Sequence, residues 1–101
     1  MARQLFPTIV RGNMTVDEQF TYYAIIDRWA NRDDPAGIVR RRRPPSGGFR
    51  DEALTRDLSW QFTPLIVGWE RAESTDDLVE VTEDEANRII EQFRARWSAE
   101  G

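Results

Sequence analysis

The sequence predicts an α+β fold: an antiparallel sheet of three to four strands with a C-terminal amphipathic helix packed on one face. Two segments carry this prediction. Residues 20–27 are dense in aromatic and β-branched side chains, which is typical of a strand. Residues 83–98 repeat apolar side chains at helical spacing, which is typical of a helix with one buried face. A chain of 101 residues with 40% hydrophobic residues is long enough for one modest core.

The first two strands are predicted to form a hairpin. Residues 20–27 are almost continuously apolar, so we expect both faces of this strand to contact protein. Residues 31–37 are rich in turn formers and include Pro35 and Gly37. Residues 38–42 then resemble a second strand, which we expect to pair antiparallel to the first.

Four consecutive arginines lie at the end of this second strand. Side chains alternate between the two faces of a strand. Arg40 and Arg42 should therefore lie on one face, and Arg41 and Arg43 on the other. We call these four residues the arginine block.

The rest of the chain is predicted to complete the sheet and add the helix. Residues 49–60 are interpreted as a third strand, and residues 64–70 fit a short helix or a strand. Residues 78–81 alternate as a short strand. Thr82 and Glu85 have the spacing of a capping box, which predicts the start of the helix at residues 83–98.

The domain organisation follows from these elements. Residues 1–19 are interpreted as an N-terminal extension, either mobile or paired as an extra edge strand, and residues 20–98 as one α+β domain. No apolar run approaches the ~20 residues that cross a bilayer, and the N-terminus has no apolar core of signal-peptide length. We therefore expect a cytoplasmic location and no membrane contact.

The composition limits the chemistry that is available. All 14 basic side chains are arginines, and the chain has no lysine, histidine or cysteine. The usual imidazole base, thiolate nucleophile, Schiff-base lysine and nitrogen or sulfur metal ligands are all missing. The acids of residues 73–85 match no calcium-loop spacing and are better explained by helix capping and solubility. We therefore expect a protein that is not an enzyme and that has no cofactor or metal.

Charge is divided unequally along the chain. Residues 1–50 carry nine arginines and five acids, a net charge of +4, whereas residues 51–101 carry five arginines and thirteen acids, a net charge of −8. The arginine block and the acidic stretch at residues 73–85 concentrate this difference. Opposite blocks can attract within one molecule or between two copies.

The candidate partner-binding residues are the arginine block, Trp29 and Tyr22. Arginine, tryptophan and tyrosine are the residue types enriched at interaction hot spots. Trp29 has polar neighbours in the sequence and is the tryptophan that we most expect to be exposed. The arginine block has three interpretations: a contact to a protein partner or a second copy, a contact to nucleic acid with Tyr22 stacking, or a charged edge strand that prevents aggregation.

A resemblance adds to these observations. The features that carry it include the Asp34-Pro35-Ala36-Gly37 turn, Gly47-Gly48, the segment at residues 51–60 and the start of the C-terminal helix. Together they resemble small actinobacterial or actinobacteriophage proteins of no assigned activity, over about residues 20–97. The resemblance implies no site residue, cofactor or partner.

The function expected from the sequence is non-catalytic protein–protein interaction or self-association, such as a homodimer, in an accessory or regulatory role. In a self-association, the arginine block of one copy would meet the acidic stretch of the other. Nucleic-acid binding through Arg40–Arg43 is the alternative, and the net charge of −4 makes it the weaker one.

Overall fold

The computed structural model describes residues 18–99, so the interpretation of the N-terminal extension falls almost entirely outside the described residues. In chain order the elements are β1 (Gln19–Ile26), β2 (Gly37–Arg43), β3 (Arg50–Leu54), β4 (Trp60–Phe62), α1 (Leu65–Glu70), β5 (Asp77–Val81) and α2 (Glu83–Ala99). The α+β class is confirmed. The prediction of three to four strands is wrong, because the described sheet has five.

All neighbouring strands of the sheet are antiparallel, in the order β4-β3-β2-β1-β5. The predicted hairpin is confirmed, with Tyr22 opposite Arg40 and Ala24 opposite Ile38. Strand β5 pairs with the other side of β1, so β1 is an interior strand with a neighbour on each side. Strands β4 and β5 are the two edges of the sheet.

The extra strand arises from a turn at residues 55–59. We predicted one strand over residues 49–60, but the chain reverses at this turn and separates β3 from β4. The Asp57 carboxylate accepts hydrogen bonds from the Thr55 hydroxyl and from the Ser59 hydroxyl, the latter at 2.7 Å. Leu58 takes a φ of 66°, a left-handed conformation that a strand does not contain. Asp and Ser are turn formers because their side chains bond nearby backbone and hydroxyl groups in this way.

Buried side chains form one cluster on each side of the sheet. Tyr22, Ala24 and Ile38 belong to a cluster that includes three residues of α2, namely Ala86, Ile89 and Phe93. We call this the α2 side. On the other side, the α1 side, Val39 and Leu78 cluster with Ile66 of α1, and Tyr23, Ile25 and Trp69 pack against them. The expectation that both faces of the first strand contact protein is therefore confirmed.

The predicted start of α2 is confirmed in its atomic detail. Thr82 Oγ1 accepts a hydrogen bond from the Glu85 backbone N–H at 3.1 Å, and the Glu85 carboxylate accepts one from the Thr82 N–H at 3.2 Å. This reciprocal arrangement is the capping box. Arg32 also pairs with Glu85 at 2.9 Å. The hydrogen bonds from Arg32 and Thr82 lower the pKa of Glu85 to about 2.

The open alternative at residues 64–70 is decided in favour of a helix. Helix α1 begins at Leu65, whose N–H donates to Thr63 Oγ1 at 3.2 Å. Trp69 of α1 packs against Tyr23 with ring centroids 5.9 Å apart, and its Nε1 donates to Asp77 of β5 at 3.0 Å. Of the helices within residues 18–99, neither is long and apolar enough to cross a membrane.

Candidate functional site

Arg41 lies at the centre of an ionic network on the α1 side. Its guanidinium donates to both carboxylate oxygens of Asp51, at 2.8 and 2.9 Å, and to both of Glu70, at 2.9 and 3.1 Å. Asp51 is the residue opposite Arg41 on β3, whereas Glu70 is the last residue of α1. Arg41 is only 5% exposed, and its guanidinium carbon lies 4.0 Å from the centre of the Phe49 ring. Arg41 therefore ties α1 to the sheet.

The charges of this network are held firmly in their ionised forms. Hydrogen bonds from Arg41 lower the pKa of Glu70. Hydrogen bonds to Asp51 and to Glu70, of which the Asp51 bond has the larger effect, raise the pKa of Arg41 further above its usual value. A bidentate arginine–carboxylate pair is among the strongest side-chain interactions, and here one guanidinium makes two of them.

Arg40 occupies a different environment on the α2 side. It donates to Glu52 at 2.8 Å, and its guanidinium lies over the rings of Trp60 and Phe20, at 4.1 and 4.7 Å from their centres. Arg50 donates to the same carboxylate at 3.1 Å. Burial raises the pKa of Glu52, but the hydrogen bonds from Arg40 and Arg50 outweigh burial and leave the pKa below its usual value. The predicted alternation of the arginine block is thus confirmed by the partners of each side chain.

The last two arginines of the block are more accessible. Arg42 pairs with Glu18. Arg43 is exposed, and its Nη1 donates to Thr21 Oγ1 at 3.4 Å; it makes no ion pair with any residue between 18 and 99. The acids that pair with the block are not those of the acidic stretch at residues 73–85. Three of the four arginines therefore pair with acids of the described chain, which come from β3, from α1 and from the residue just before β1.

The two aromatic candidates are separated by the fold. Tyr22 is buried on the α2 side, between Phe20 and Trp60, with ring centroids 6.2 and 6.3 Å away. Tyr22, which the sequence suggested as a partner-binding residue, is only 8% exposed and belongs to the core cluster on this side. Trp29 is 84% exposed, as the sequence led us to expect, and Arg28 lies 5.7 Å from its ring centre. Trp29 lines an open cavity of about 450 Å³ together with Thr75 and Asp76.

A second exposed aromatic surface lies at the β4 edge of the sheet, and sequence reasoning missed it. Phe49 is 53% exposed and Phe62 is 64% exposed. Both residues line a cavity of about 360 Å³, together with Val67 of α1 and with Arg50, Asp51, Thr63 and Pro64. We call Phe49, Phe62 and Val67 the aromatic edge. A neighbouring cavity of about 550 Å³ extends this surface along α1 and shares Val67 with it.

A signal for this surface was present in the sequence. Trp60 and Phe62 are two residues apart, the spacing that puts side chains on one face of a strand. Our predicted third strand ended at residue 60, so Phe62 was left outside it. The position of the turn at residues 55–59 was the missing information.

Within the described part of the chain, no three acidic side chains come close enough together to hold a metal ion. Comparisons with protein-family models, with curated proteins and with solved structures found no match. Any functional conclusion therefore depends on the residues of this chain.

Proposed function

We propose that the protein is a non-catalytic interaction module of the cytoplasm, with an accessory or regulatory role, that binds a protein partner or a second copy of itself through the aromatic edge. The observation that carries this proposal is that two exposed aromatic residues, Phe49 and Phe62, line the same cavity at the β4 edge. Isolated exposed apolar residues are ordinary, but contiguous apolar patches mark interaction sites.

The ion pairs of the arginine block support a structural role for most of it. Arg41 is buried against two carboxylates, so contact with a partner would require that these pairs break. Breaking a buried pair leaves an uncompensated charge, which costs several kcal/mol, about 3–5. The aromatic edge carries no such cost, because its rings are already exposed to solvent.

The acids beside the aromatic edge support a role without catalysis. Glu52 and Glu70 have pKa values below the usual range because arginines donate to them. A general acid or base needs a pKa near the working pH, which usually requires a shift in the opposite direction. These carboxylates are suited to holding ion pairs.

A second candidate function is nucleic-acid binding on the α2 side, and one observation favours it. Phe20 is 37% exposed and lies beside Arg40 and Arg42 on the same face. An exposed ring next to guanidinium groups can stack a base while the charge contacts phosphate. Glu18 and Glu52 already neutralise these two arginines, which makes this candidate the weaker one.

Affinity purification with a double variant, Phe49→Ser with Phe62→Ser, tests the main proposal. We expect wild-type protein to retain a specific protein, or untagged copies of the chain, and the double variant to lose it. Trp29→Ser is the matched control, because it removes an exposed ring from a different region. Equal retention by the wild type, the double variant and the control would contradict the proposal.

Fluorescence anisotropy with a labelled single-stranded oligonucleotide tests the second candidate. If nucleic acid binds the α2 side, Phe20→Ser should weaken binding, and affinity should fall steeply as salt rises. No binding at low salt would remove this candidate.

A further inference from the structure

We propose, on the basis of the function proposed above, that the partner at the aromatic edge is a second copy of this chain. In this dimer β4 of one copy pairs antiparallel with β4 of the other, about a two-fold axis that passes beside Gln61. The two sheets then become one continuous sheet.

The backbone of β4 is oriented for this pairing. The Thr63 N–H donates to the Asp51 carbonyl at 3.0 Å, and the Thr55 N–H donates to the Ser59 carbonyl at 2.9 Å. In an antiparallel pair, residues bonded to the neighbouring strand alternate with residues whose N–H and C=O point away. Ser59, Gln61 and Thr63 therefore face β3, and Trp60 and Phe62 direct their N–H and C=O groups to the free edge.

The two edges of the sheet differ in charge, and this difference selects β4. Strand β5 carries Asp77 and Glu80, both exposed. Charged side chains on an edge strand discourage pairing with another strand. Strand β4 consists of Trp60, Gln61 and Phe62 and has no charge. Its short length limits the added ladder to these three positions.

Two-fold symmetry makes these three positions complementary to themselves. With Gln61 opposite Gln61 of the second copy, Trp60 lies opposite Phe62 of that copy, and Phe62 lies opposite its Trp60. Each of these opposing pairs exchanges both N–H···O bonds. Each also forms a cross-strand aromatic pair, a combination that stabilises antiparallel sheets. The ring of Phe62, now 64% exposed, would be covered.

A single-cysteine variant tests the register directly, because the chain has no cysteine of its own. Residues 61 of the two copies form a pair whose N–H and C=O groups do not bond each other, for which the Cα atoms lie ~4.5 Å apart. Disulfides form at Cα separations of about 4.4–6.8 Å. We expect Gln61→Cys to form a covalent dimer on mild oxidation. Glu80→Cys on β5 is the matched control and should stay monomeric on a denaturing gel.

Light scattering over a concentration series tests the association itself. The wild type should approach twice the chain mass of 11.8 kDa, and Phe62→Lys should return to 11.8 kDa. Phe62→Lys places a charge on the edge strand at an exposed position, so its circular dichroism and thermal melt should match those of the wild type. Trp29→Lys adds the same charge at another exposed ring and should remain a dimer.

Two results would overturn the inference. One is a wild type that stays at 11.8 kDa at every concentration, with no cross-link from Gln61→Cys. The other is a dimer that cross-links through Glu80→Cys instead. The proposed function would survive either result if affinity purification showed a different protein whose retention depends on Phe49 and Phe62. It would fail only if that retention were also independent of the aromatic edge.

Discussion

Arg40 and Arg41 are neighbours in the sequence, yet they stabilise the protein in different ways because they lie on opposite sides of β2. Arg41, on the α1 side, is buried and forms salt bridges with Asp51 and Glu70. Arg40, on the α2 side, shares Glu52 with Arg50 and lies over the rings of Phe20 and Trp60. The α1 side thus uses charge to attach its helix, whereas the buried residues of α2 are apolar.

One charged segment, the arginine block, thus contributes both to a buried region and to the surface of the protein. Because side chains alternate along β2, the arginines lie on two faces of the sheet, and the arginines on each face have different partners. On the α1 side the partners come from β3 and α1, and the Arg41 guanidinium is buried. On the α2 side the network continues through Arg50 towards the exposed ring of Phe62, 6.0 Å away. We therefore expect substitutions on the two sides to differ in size and in their dependence on pH.

Arg41→Met should have one of the two largest effects on stability. It leaves Asp51 buried without its main partner, and removing one member of a buried ion pair costs about 3–5 kcal/mol. Urea denaturation of the variant measures the loss in free energy of unfolding. Arg43→Met is the matched control on the same strand and side, and a surface change of this kind stays within about 0.5 kcal/mol. Equal losses in the two variants would show that the ion pairs of Arg41 add no more to the free energy of unfolding than an exposed arginine does.

Phe93→Ala should be similarly destabilising through a different cause. Phe93 is buried on the α2 side and stacks on Trp97 with ring centroids 5.0 Å apart. Truncating a buried Phe removes apolar contacts and leaves a cavity, which costs about 3–5 kcal/mol. The loss, measured by urea denaturation, should be the same at pH 7 and pH 4.5, since no charge is involved. A loss that changed strongly between these two pH values would contradict this prediction, because it would show that a titrating group contributes to the effect of Phe93.

Arg40→Met should destabilise the protein less than Arg41→Met. Glu52 keeps the hydrogen bond from Arg50, and the methionine can still pack against Trp60. The lost bond to a charged group contributes about 1.5–3 kcal/mol. Thermal and urea unfolding of both variants in one buffer make the comparison. A loss larger than that of Arg41→Met would contradict the prediction that the α1-side arginine contributes more to stability.

Glu70, on the α1 side, should contribute to the pH dependence of stability. The pKa of Glu70 is below its usual value because Arg41 donates to it. A lowered pKa gives stability that is present above the unfolded value, about 4.3, and is lost as the pH falls through the lower folded value. We expect the melting temperature to drop as the pH is lowered from about 5, and Glu70→Gln to make that drop shallower. An unchanged slope would mean that Glu70 does not contribute to acid unfolding.

Much of the local structure could be predicted from neighbouring residues alone. The strand at residues 20–27, the hairpin and the capping box at Thr82 each depend on residues close in sequence, whose preferences act over a few positions. The split of residues 49–60 was not predicted, although the residues that form its turn are also close in sequence. Hydrophobic residues there are irregularly spaced, and the turn is set by the Asp57 side chain and by pairing of Thr55 with Ser59.

The candidate site was predicted only in part for a related reason. Trp29 was expected to be exposed, and polar neighbours in the sequence were a sufficient signal. Tyr22 was expected to contact a partner, but its place opposite Arg40 and beneath Trp60 made it a core residue. Phe49 and Phe62 come together only because β3 and β4 pair and α1 folds back beside them.

The sequence by itself determined the α+β class, the start of α2 and the alternation of the arginine block, because these follow from capping, periodicity and the geometry of a strand. Only the tertiary structure decided which arginine is buried. Asp51 lies 10 residues from Arg41 and Glu70 lies 29 residues away. Burying a guanidinium requires several carboxylate oxygens at hydrogen-bond distance, and only the folded chain brings together acids that are so far apart in sequence.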